Sequence, residues 1–429
     1  MHRLFILTAV MLVQTLVPVR GADVYEQPPI SYSDSSPANR VSKLQAAIER
    51  KELTLQYDPR LGYLPDLLNR LEIGPSTQLL VFSKTSMQRD RISPRTPRAL
   101  YFNDDSYVGY CHGGDVLEIA TADLALGAVF YTLEQEQNDH PVITRQTHKC
   151  LQCHGATQTD DIPGFLVRSL FVGSSGLPIL SEGSHRVDHT TPIKDRWGGW
   201  YVSGTLGSQS HLGNFVVRDR DAPKPWANPP GQNASDLSER IAVRNYLTPH
   251  SDVVALMVFE HQTLVHNLIV KANFTARQAL HYEAGLNEAL GNPSNERLES
   301  TTRRIANAGE DVLQGIFLSD EAAIVEPIKG EPEFAETFVS HGPHDRQGRS
   351  LRDLDLGRRL FKYPCSFLIY SDAFDALPEE MTRYLRQRIP EILDGRGGEQ
   401  FGHLSHSDRQ AISEILRETK PTLWTQSEQ

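Results

Sequence analysis

The sequence Cys150-Leu151-Gln152-Cys153-His154 is a complete C-x-x-C-H motif. Two thiols at this spacing can form thioether bonds to the two vinyl groups of a c-type haem, and the histidine that follows is placed under the iron as its proximal ligand. We therefore predict one covalent haem c, attached through Cys150 and Cys153 and ligated by His154. The fold of the surrounding chain has to hold that group.

Two other chemistries use a C-x-x-C pair. A zinc site needs a second pair of soft ligands nearby, and the chain has only 4 cysteines and no second C-x-x-C. A thioredoxin-like dithiol does not require the trailing histidine and usually sits between a strand and a helix. Both alternatives account for less of the motif than haem does.

The N-terminal residues predict export. Arg3 precedes an apolar run of about 16 residues, Leu4 to Val19, which is shorter than the about 20 residues of a membrane span. Val19-Arg20-Gly21 then resembles a signal-peptide cleavage site. We expect a periplasmic or otherwise exported protein with no membrane span after cleavage, and an uncleaved anchor is the alternative.

Composition is that of a globular chain of 429 residues, long enough for two or three domains. Loss of Arg3 and Arg20 with the leader, and of no acidic residue, changes the formal charge from −11 to −13. An acidic surface disfavours nucleic acid and anionic lipid as partners. Cys111 and Cys365 either form a disulfide or are separate buried thiols, and we favour the second interpretation.

An α+β fold is predicted, because short strands precede a helical half. β-branched and aromatic runs separated by turn residues indicate a small, largely antiparallel sheet beside the haem. The predicted strands are 79–82, 99–102, 107–110, 116–120 and 128–133, with strand-like segments at 164–172 and 200–204. Helices are expected over 40–52, from Thr248 as N-cap onwards, over 276–290 and over 295–313.

Three segments around the motif resemble those of exported bacterial proteins that carry a cytochrome c domain. They are Ser93-Pro94-Arg95-Thr96-Pro97-Arg98, Tyr101-Phe102-Asn103-Asp104-Asp105 and Arg196-Trp197-Gly198-Gly199-Trp200-Tyr201-Val202-Ser203-Gly204. The resemblance covers most of the mature chain. It implies haem binding and electron transfer, and it implies no particular reaction.

The C-terminal part has a second likeness. Residues 356–365 are similar to the first helix and first haem cysteine of a cytochrome c, and residues 404–419 to its last helix. Leu368 and Ile369 stand where the second cysteine and the histidine would be, so this likeness implies a cytochrome c fold without haem.

Six segments follow from these patterns. We predict a signal peptide (1–21), an N-terminal spacer with a short helix (22–55), a β-rich haem c-binding domain (56–220), a linker (221–232), a helical domain (233–331) and a helical cytochrome c-like domain without haem (332–429).

The sixth ligand of the iron has several candidates. His189 is preferred, since it lies in a polar loop of the haem domain, and His211 and Met87 are the other possibilities. Met257 falls on an apolar helical stripe and is assigned to the core.

Other clusters have a functional and a structural interpretation. Arg89, Arg91, Arg95 and Arg98 could bind haem propionates or form a solvated basic loop. Trp197 and Trp200 could border the porphyrin or pack on the sheet. Glu260, His261 and His266 could bind a metal, but the two histidines are five residues apart and diverge on a helix, so core histidines are preferred.

The predicted function is one-electron transfer to a redox partner protein outside the inner membrane. A haem peroxidase-like oxidoreductase and a haem-based redox or ligand sensor are the alternatives. A buried six-coordinate haem favours electron transfer, and a five-coordinate haem with a polar distal pocket favours the other two. The sequence does not determine the oligomeric state.

Overall fold

A computed structural model describes residues 23–219, 221, 224, 226 and 231–424 of the chain. It combines a six-stranded antiparallel sheet with α-helices, which confirms the α+β class. The predicted signal peptide lies outside the described residues, and so does most of the predicted linker.

The sheet is a meander in which each strand pairs with the next along the chain. Its strands are β1 (Leu79–Val81), β2 (Arg98–Phe102), β3 (Ser106–Tyr110), β4 (Val116–Asp123), β5 (Gly127–Glu134) and β6 (Ile143–Gln146). The five predicted strands are confirmed. The strand-like segments at 164–172 and 200–204 form only isolated bridges and a two-residue pairing of β7 (Arg168–Ser169) with β8 (His185–Arg186).

The two faces of the sheet differ in how fully they are covered. In the central strand β4, Leu117, Ile119 and Thr121 are buried, whereas the alternate residues from Val116 to Ala122 are partly exposed. On the buried side, Asn39 caps the first helix and donates from Nδ2 to Asp123 Oδ2 at 3.0 Å. Because side chains alternate along a strand, one face of β4 is buried and the other is partly exposed.

The α-helices are α1 (Arg40–Glu49), α2 (Leu64–Arg70), α3 (Leu151–His154), α4 (Val253–Leu290), α5 (Glu299–Ile316), α6 (Pro332–Ser340), α7 (Asp372–Asp375), α8 (Glu379–Glu391) and α9 (His406–Thr419). The longest, α4, has 38 residues and continues without a break through the point where a separate helix was predicted. Asp252 is its N-cap and accepts from Ala255 N at 2.8 Å, so the assignment to Thr248 was wrong.

Helix α4 contributes many buried side chains to the core of the protein. Among the described residues, it is the one helix long and apolar enough to cross a membrane, with a mean hydropathy of 1.4 in its most apolar window. Because 89% of that window is buried inside the protein, its apolar character is explained by core packing.

The C-terminal region corrects part of the cytochrome c likeness. Residues 356–365 form turns where a first helix was expected. Leu356 has a left-handed φ of 57°, and the Asp355 carboxylate accepts from the backbone N–H groups of Gly357 and Arg358, which replaces helical hydrogen bonds. The last predicted helix is confirmed as α9, capped by Ser405.

Buried apolar side chains from the β-rich, middle and C-terminal segments belong to one contiguous cluster, from Tyr25 to Leu423. Because this cluster continues across the predicted boundaries, it does not mark where one domain ends and the next begins, and the boundaries stay predictions. Cys111 and Cys365 are separate buried thiols, as favoured from the sequence.

Candidate functional site

The C-x-x-C-H motif forms the single-turn helix α3, which begins at Leu151, five residues after Gln146, the last residue of edge strand β6. Cys150 is the N-cap residue of this turn. Cys153 is exposed, while Cys150 and His154 are partly buried. The turn ends at Gly155, where an added Cβ would lie 2.8 Å from the Tyr25 hydroxyl, so the chain packs tightly directly behind the histidine.

The imidazole of His154 has a defined orientation. Its Nδ1 lies 3.0 Å from the carbonyl oxygen of Gly164, and Gly164 N donates to His154 O at 2.8 Å. The ring also packs on Phe130, with centroids 4.8 Å apart. A carbonyl can only accept, so Nδ1 carries the proton and Nε2 keeps its lone pair. Burial lowers the pKa of His154, which favours the neutral form that binds metals.

Two charged residues lie beside the motif. Arg98 on β2 and Glu118 on β4 form an ion pair at 2.6 Å, and each side chain is 18% exposed. The charges of both act on His154, and that of Glu118 also acts on Cys150, whose pKa partial burial raises to about 11. Arg98 Nε is buried without a hydrogen-bond partner in the described part of the chain.

The other three arginines of the predicted cluster are directed elsewhere. Arg91 pairs with Asp115 at 3.0 Å, and Arg95 donates to the carbonyl of Glu239 at 3.1 Å. Arg89 belongs to a short 3₁₀ turn on the surface. Of the four arginines, Arg98 is therefore the one whose charge acts on the histidine of the motif.

Small and apolar residues surround Glu118 on the partly exposed face of the sheet. Its register partners are Gly109 on β3 and Thr132 on β5, and Gly109 in turn faces Leu100 on β2. The next pair toward the His154 side is Ala120 with Phe130. Two small residues, Gly109 and Ala120, thus lie on this face among larger neighbours, and an added Cβ at Gly109 would lie 3.4 Å from the nearest side-chain atoms of Glu118 and Leu100.

These residues fit a c-type haem by their chemistry. An exposed thiol, a partly buried thiol and a neutral imidazole share one helical turn, and the imidazole Nε2 has no hydrogen-bond partner among the described residues. A guanidinium whose Nε–H has no such partner either lies nearby. The adjoining sheet face has the small residues Gly109 and Ala120 next to Glu118. Sequence reasoning named Arg98 only as one of four arginines and missed Glu118, whose alternation on β4 was the available signal.

Met87 belongs to a loop anchored on the same ion pair. Its neighbours Ser86 and Gln88 donate to Glu118 Oε1 at 2.5 and 3.1 Å. Met87 itself is 48% exposed, although it is a large apolar side chain. Its thioether is therefore unburied next to a residue whose charge acts on His154 and Cys150.

His189 lies in a buried polar network with α4 and the C-terminal region. Its Nδ1 is 3.0 Å from Nδ1 of His261, and Nε2 of His261 is 2.7 Å from the Ser366 hydroxyl. Burial lowers the pKa of His189 to about 4, and a backbone hydrogen bond with Ser319 acts in the opposite direction. The assignment of His189 as sixth ligand stays a prediction.

His211 has both ring nitrogens engaged. Nε2 lies 3.2 Å from the carbonyl of Gln232, and Nδ1 accepts from Gly213 N at 3.0 Å. Met257 is buried, as expected for a core residue. The contacts of His211 and the burial of Met257 are those of residues that stabilise the fold.

The suspected metal cluster on α4 is instead a set of core residues. Glu260 pairs with Arg196 at 3.0 Å, and both side chains are at most 2% exposed. Burial raises the pKa of Glu260 to about 7, against the opposing charge of Arg196. His266 Nε2 is bonded to the carbonyl of Asp104 at 2.8 Å. No group of three potential metal-binding side chains occurs in the described part of the chain.

The two tryptophans also pack in the core. Trp197 is 1% exposed and stands edge-to-face with His211, at 5.2 Å between centroids. Trp200 donates from Nε1 to the carbonyl of Arg168 at 2.8 Å. Neither contact supports the alternative that these rings border a porphyrin.

A polar cavity of about 390 Å³ lies in the C-terminal half of the chain. Its lining residues are Leu318, Asp320, Glu321, Arg359, Pro364, Glu399, Gln400, Gly402 and His403. None of them belongs to the C-x-x-C-H turn or to the Arg98–Glu118 pair.

No protein-family model, curated protein or solved structure matches this chain.

Proposed function

We propose that this chain is an exported c-type cytochrome that binds one haem covalently and transfers electrons. The observation that carries the proposal is the geometry of the C-x-x-C-H turn. Cys153 is exposed there and Cys150 is partly buried, and the Nδ1 contact of His154 with Gly164 O leaves Nε2 without a hydrogen-bond partner among the described residues. A dithiol site does not need this histidine orientation, and a zinc site would need further soft ligands, which do not gather here among the described residues.

Each residue of the site has a role in this proposal. The haem, when bound, supplies the Fe(II)/Fe(III) couple for one-electron transfer. Cys150 and Cys153 hold the macrocycle covalently, and His154 is the proximal ligand. Arg98 is the partner for a propionate, because a guanidinium can donate to a carboxylate while it keeps its bond to Glu118.

The partner in this proposal is a redox protein outside the inner membrane. The net charge of −11 for the whole chain favours a basic partner over nucleic acid or anionic lipid.

The central experiment is expression of the full-length chain with a haem-attachment system. We expect haem stain after a denaturing gel, a pyridine haemochrome typical of two thioether links, and one iron per chain. A colourless protein would overturn the proposal.

The sixth ligand separates electron transfer from the alternatives. His189 is the prediction from sequence, and Met87 is the candidate favoured by its anchored, exposed position next to Glu118. His189→Ala and Met87→Ala are compared by the ferric absorption spectrum, where loss of the ligand changes the spin state. Carbon monoxide binding to the reduced wild type without ligand displacement would favour a peroxidase-like enzyme or a ligand sensor.

A further inference from the structure

The amide side chain of Asn267, in the middle of α4, holds the loop that orients His154. Phe165 N donates to Asn267 Oδ1 at 2.8 Å, and Asn267 Nδ2 donates to Phe165 O at 2.8 Å. Both backbone groups of Phe165 are thus bonded to one side chain. Asn267 is 6% exposed, so water does not compete for these bonds.

Gly164 connects this amide to the histidine. Its carbonyl accepts from His154 Nδ1 at 3.0 Å, and its N–H donates to His154 O at 2.8 Å. An added Cβ on Gly164 would lie 2.7 Å from Asn267 Oδ1, so the loop lies directly against the amide. Two pairs of hydrogen bonds therefore link α4 to the imidazole: one pair joins Asn267 to Phe165, and the other joins Gly164 to His154.

We infer that Asn267 is a positioning residue for the proximal ligand, and that it tunes the reduction potential of the iron through Gly164 and His154. This inference rests on the proposed haem site. A proximal histidine that donates a firm hydrogen bond from Nδ1 is a stronger electron donor, which favours Fe(III). If the Gly164 carbonyl is allowed to move, that bond lengthens and the reduced state is favoured.

A second residue of the same type on α4 provides a matched control. Asn273 is also 6% exposed and also bonds a loop carbonyl, that of Leu124 at 3.4 Å. The Leu124 carbonyl belongs to the β4–β5 turn and makes no contact with His154 through Gly164. Replacement of Asn273 should therefore affect stability without affecting the iron.

The test is the midpoint potential of the haem-loaded full chain for the wild type, Asn267→Leu and Asn273→Leu. We expect an upward shift for Asn267→Leu and none for Asn273→Leu. A partial change of the ferric spectrum toward high spin should accompany the shift. Equal potentials in all three proteins, or equal shifts in both variants, would overturn the inference.

Gly164→Ala is the second variant, in case Asn267→Leu does not fold. It keeps the amide but forces Gly164 and Asn267 apart, so it should shift the potential in the same direction. An unchanged potential in a folded Gly164→Ala protein would also count against the inference. Haem stain on a denaturing gel is recorded first for every protein, because a colourless wild type refutes the haem site itself, whereas a stained variant with an unchanged potential refutes only the role of Asn267.

Discussion

Two regions of this protein contain a cysteine at the start of a haem-like pattern, and they differ in burial. At the first, Cys153 is exposed and Cys150 and His154 are partly buried on one turn. At the second, Cys365, Leu368 and Ile369 are each at most 1% exposed. The first region presents its thiols and a free imidazole nitrogen, whereas the second is closed by packing.

The chemistry next to each cysteine explains the difference. Near Cys150, the sheet face has a glycine, an alanine and an ion pair whose two side chains are each 18% exposed. Beside Cys365, the phenyl rings of Phe361 and Phe367 stand 6.0 Å apart and contact His261. Burial raises the pKa of the Cys365 thiol, so it is the less reactive of the two. The complete motif at Cys150 is thus a candidate site, and the incomplete pattern at Cys365 is part of the core.

The largest expected effect is on covalent haem. Cys150→Ala combined with Cys153→Ala should remove all haem stain from a denaturing gel, since no thioether can then form. Cys365→Ala, the matched control in the closed region, should keep the stain and one iron per chain. Stain that persists in the double variant, or is lost in the control, would reverse the assignment of the two regions.

Next in size is the effect of removing the imidazole alone. His154→Ala should keep covalent haem through the two thiols but lose the low-spin ferric spectrum, because the iron loses its proximal nitrogen. The absorption spectrum of the oxidised and reduced protein measures this. An unchanged low-spin spectrum would mean that another residue is the proximal ligand.

In the closed region, a core substitution should affect stability and leave the haem unchanged. Leu368→Ala should lower the free energy of unfolding by about 2–5 kcal/mol, because it removes a buried side chain and leaves a cavity. Urea unfolding followed by circular dichroism measures this. Leu180→Ala is the control, since Leu180 is 72% exposed. If both variants had the same free energy of unfolding, Leu368 would not be packed in the core, and the interpretation of the Cys365 region as closed would be wrong.

The smallest effect is the pH dependence of the buried network next to Cys365. The pKa of Glu260 is raised from 4.5 to about 7, so between these values the folded protein binds more protons than the unfolded chain. This group therefore lowers the free energy of unfolding as the pH rises from about 4.5 to about 7. The low pKa of His189, about 4, acts in the opposite direction up to its ordinary value of 6.5.

Glu260→Gln isolates the carboxyl's contribution. The free energy of unfolding of this variant, minus that of the wild type, should increase between about pH 4.5 and pH 7, because only the wild type loses stability through Glu260. Urea unfolding over this range measures the difference, and the haem spectrum should not follow it. A difference that is flat with pH would mean that the Glu260 carboxyl is not perturbed in the folded protein.

Some of the fold could be predicted from local patterns. The five strands were found because β-branched and aromatic runs end at turn residues, and α9 was predicted from the likeness of residues 404–419 to the last helix of a cytochrome c. The turns at 356–365 were missed, since the run looks helical and only the bonds from Asp355 and the left-handed Leu356 reveal otherwise. Glu118 was missed because its alternation on β4 places it on the partly exposed face but does not show that Arg98 pairs with it.

The sequence by itself determined the C-x-x-C-H motif, the α+β class and the incomplete pattern at Cys365, because these depend on residue identity and short spacing. Only the tertiary structure decided what lies around them. It brought Gly164 to His154, Asn267 to Phe165, and Arg98 to Glu118 beside the motif. It also paired His189 with His261, which are 72 residues apart. Contacts between distant residues depend on how helices and strands pack, and local spacing does not encode that packing.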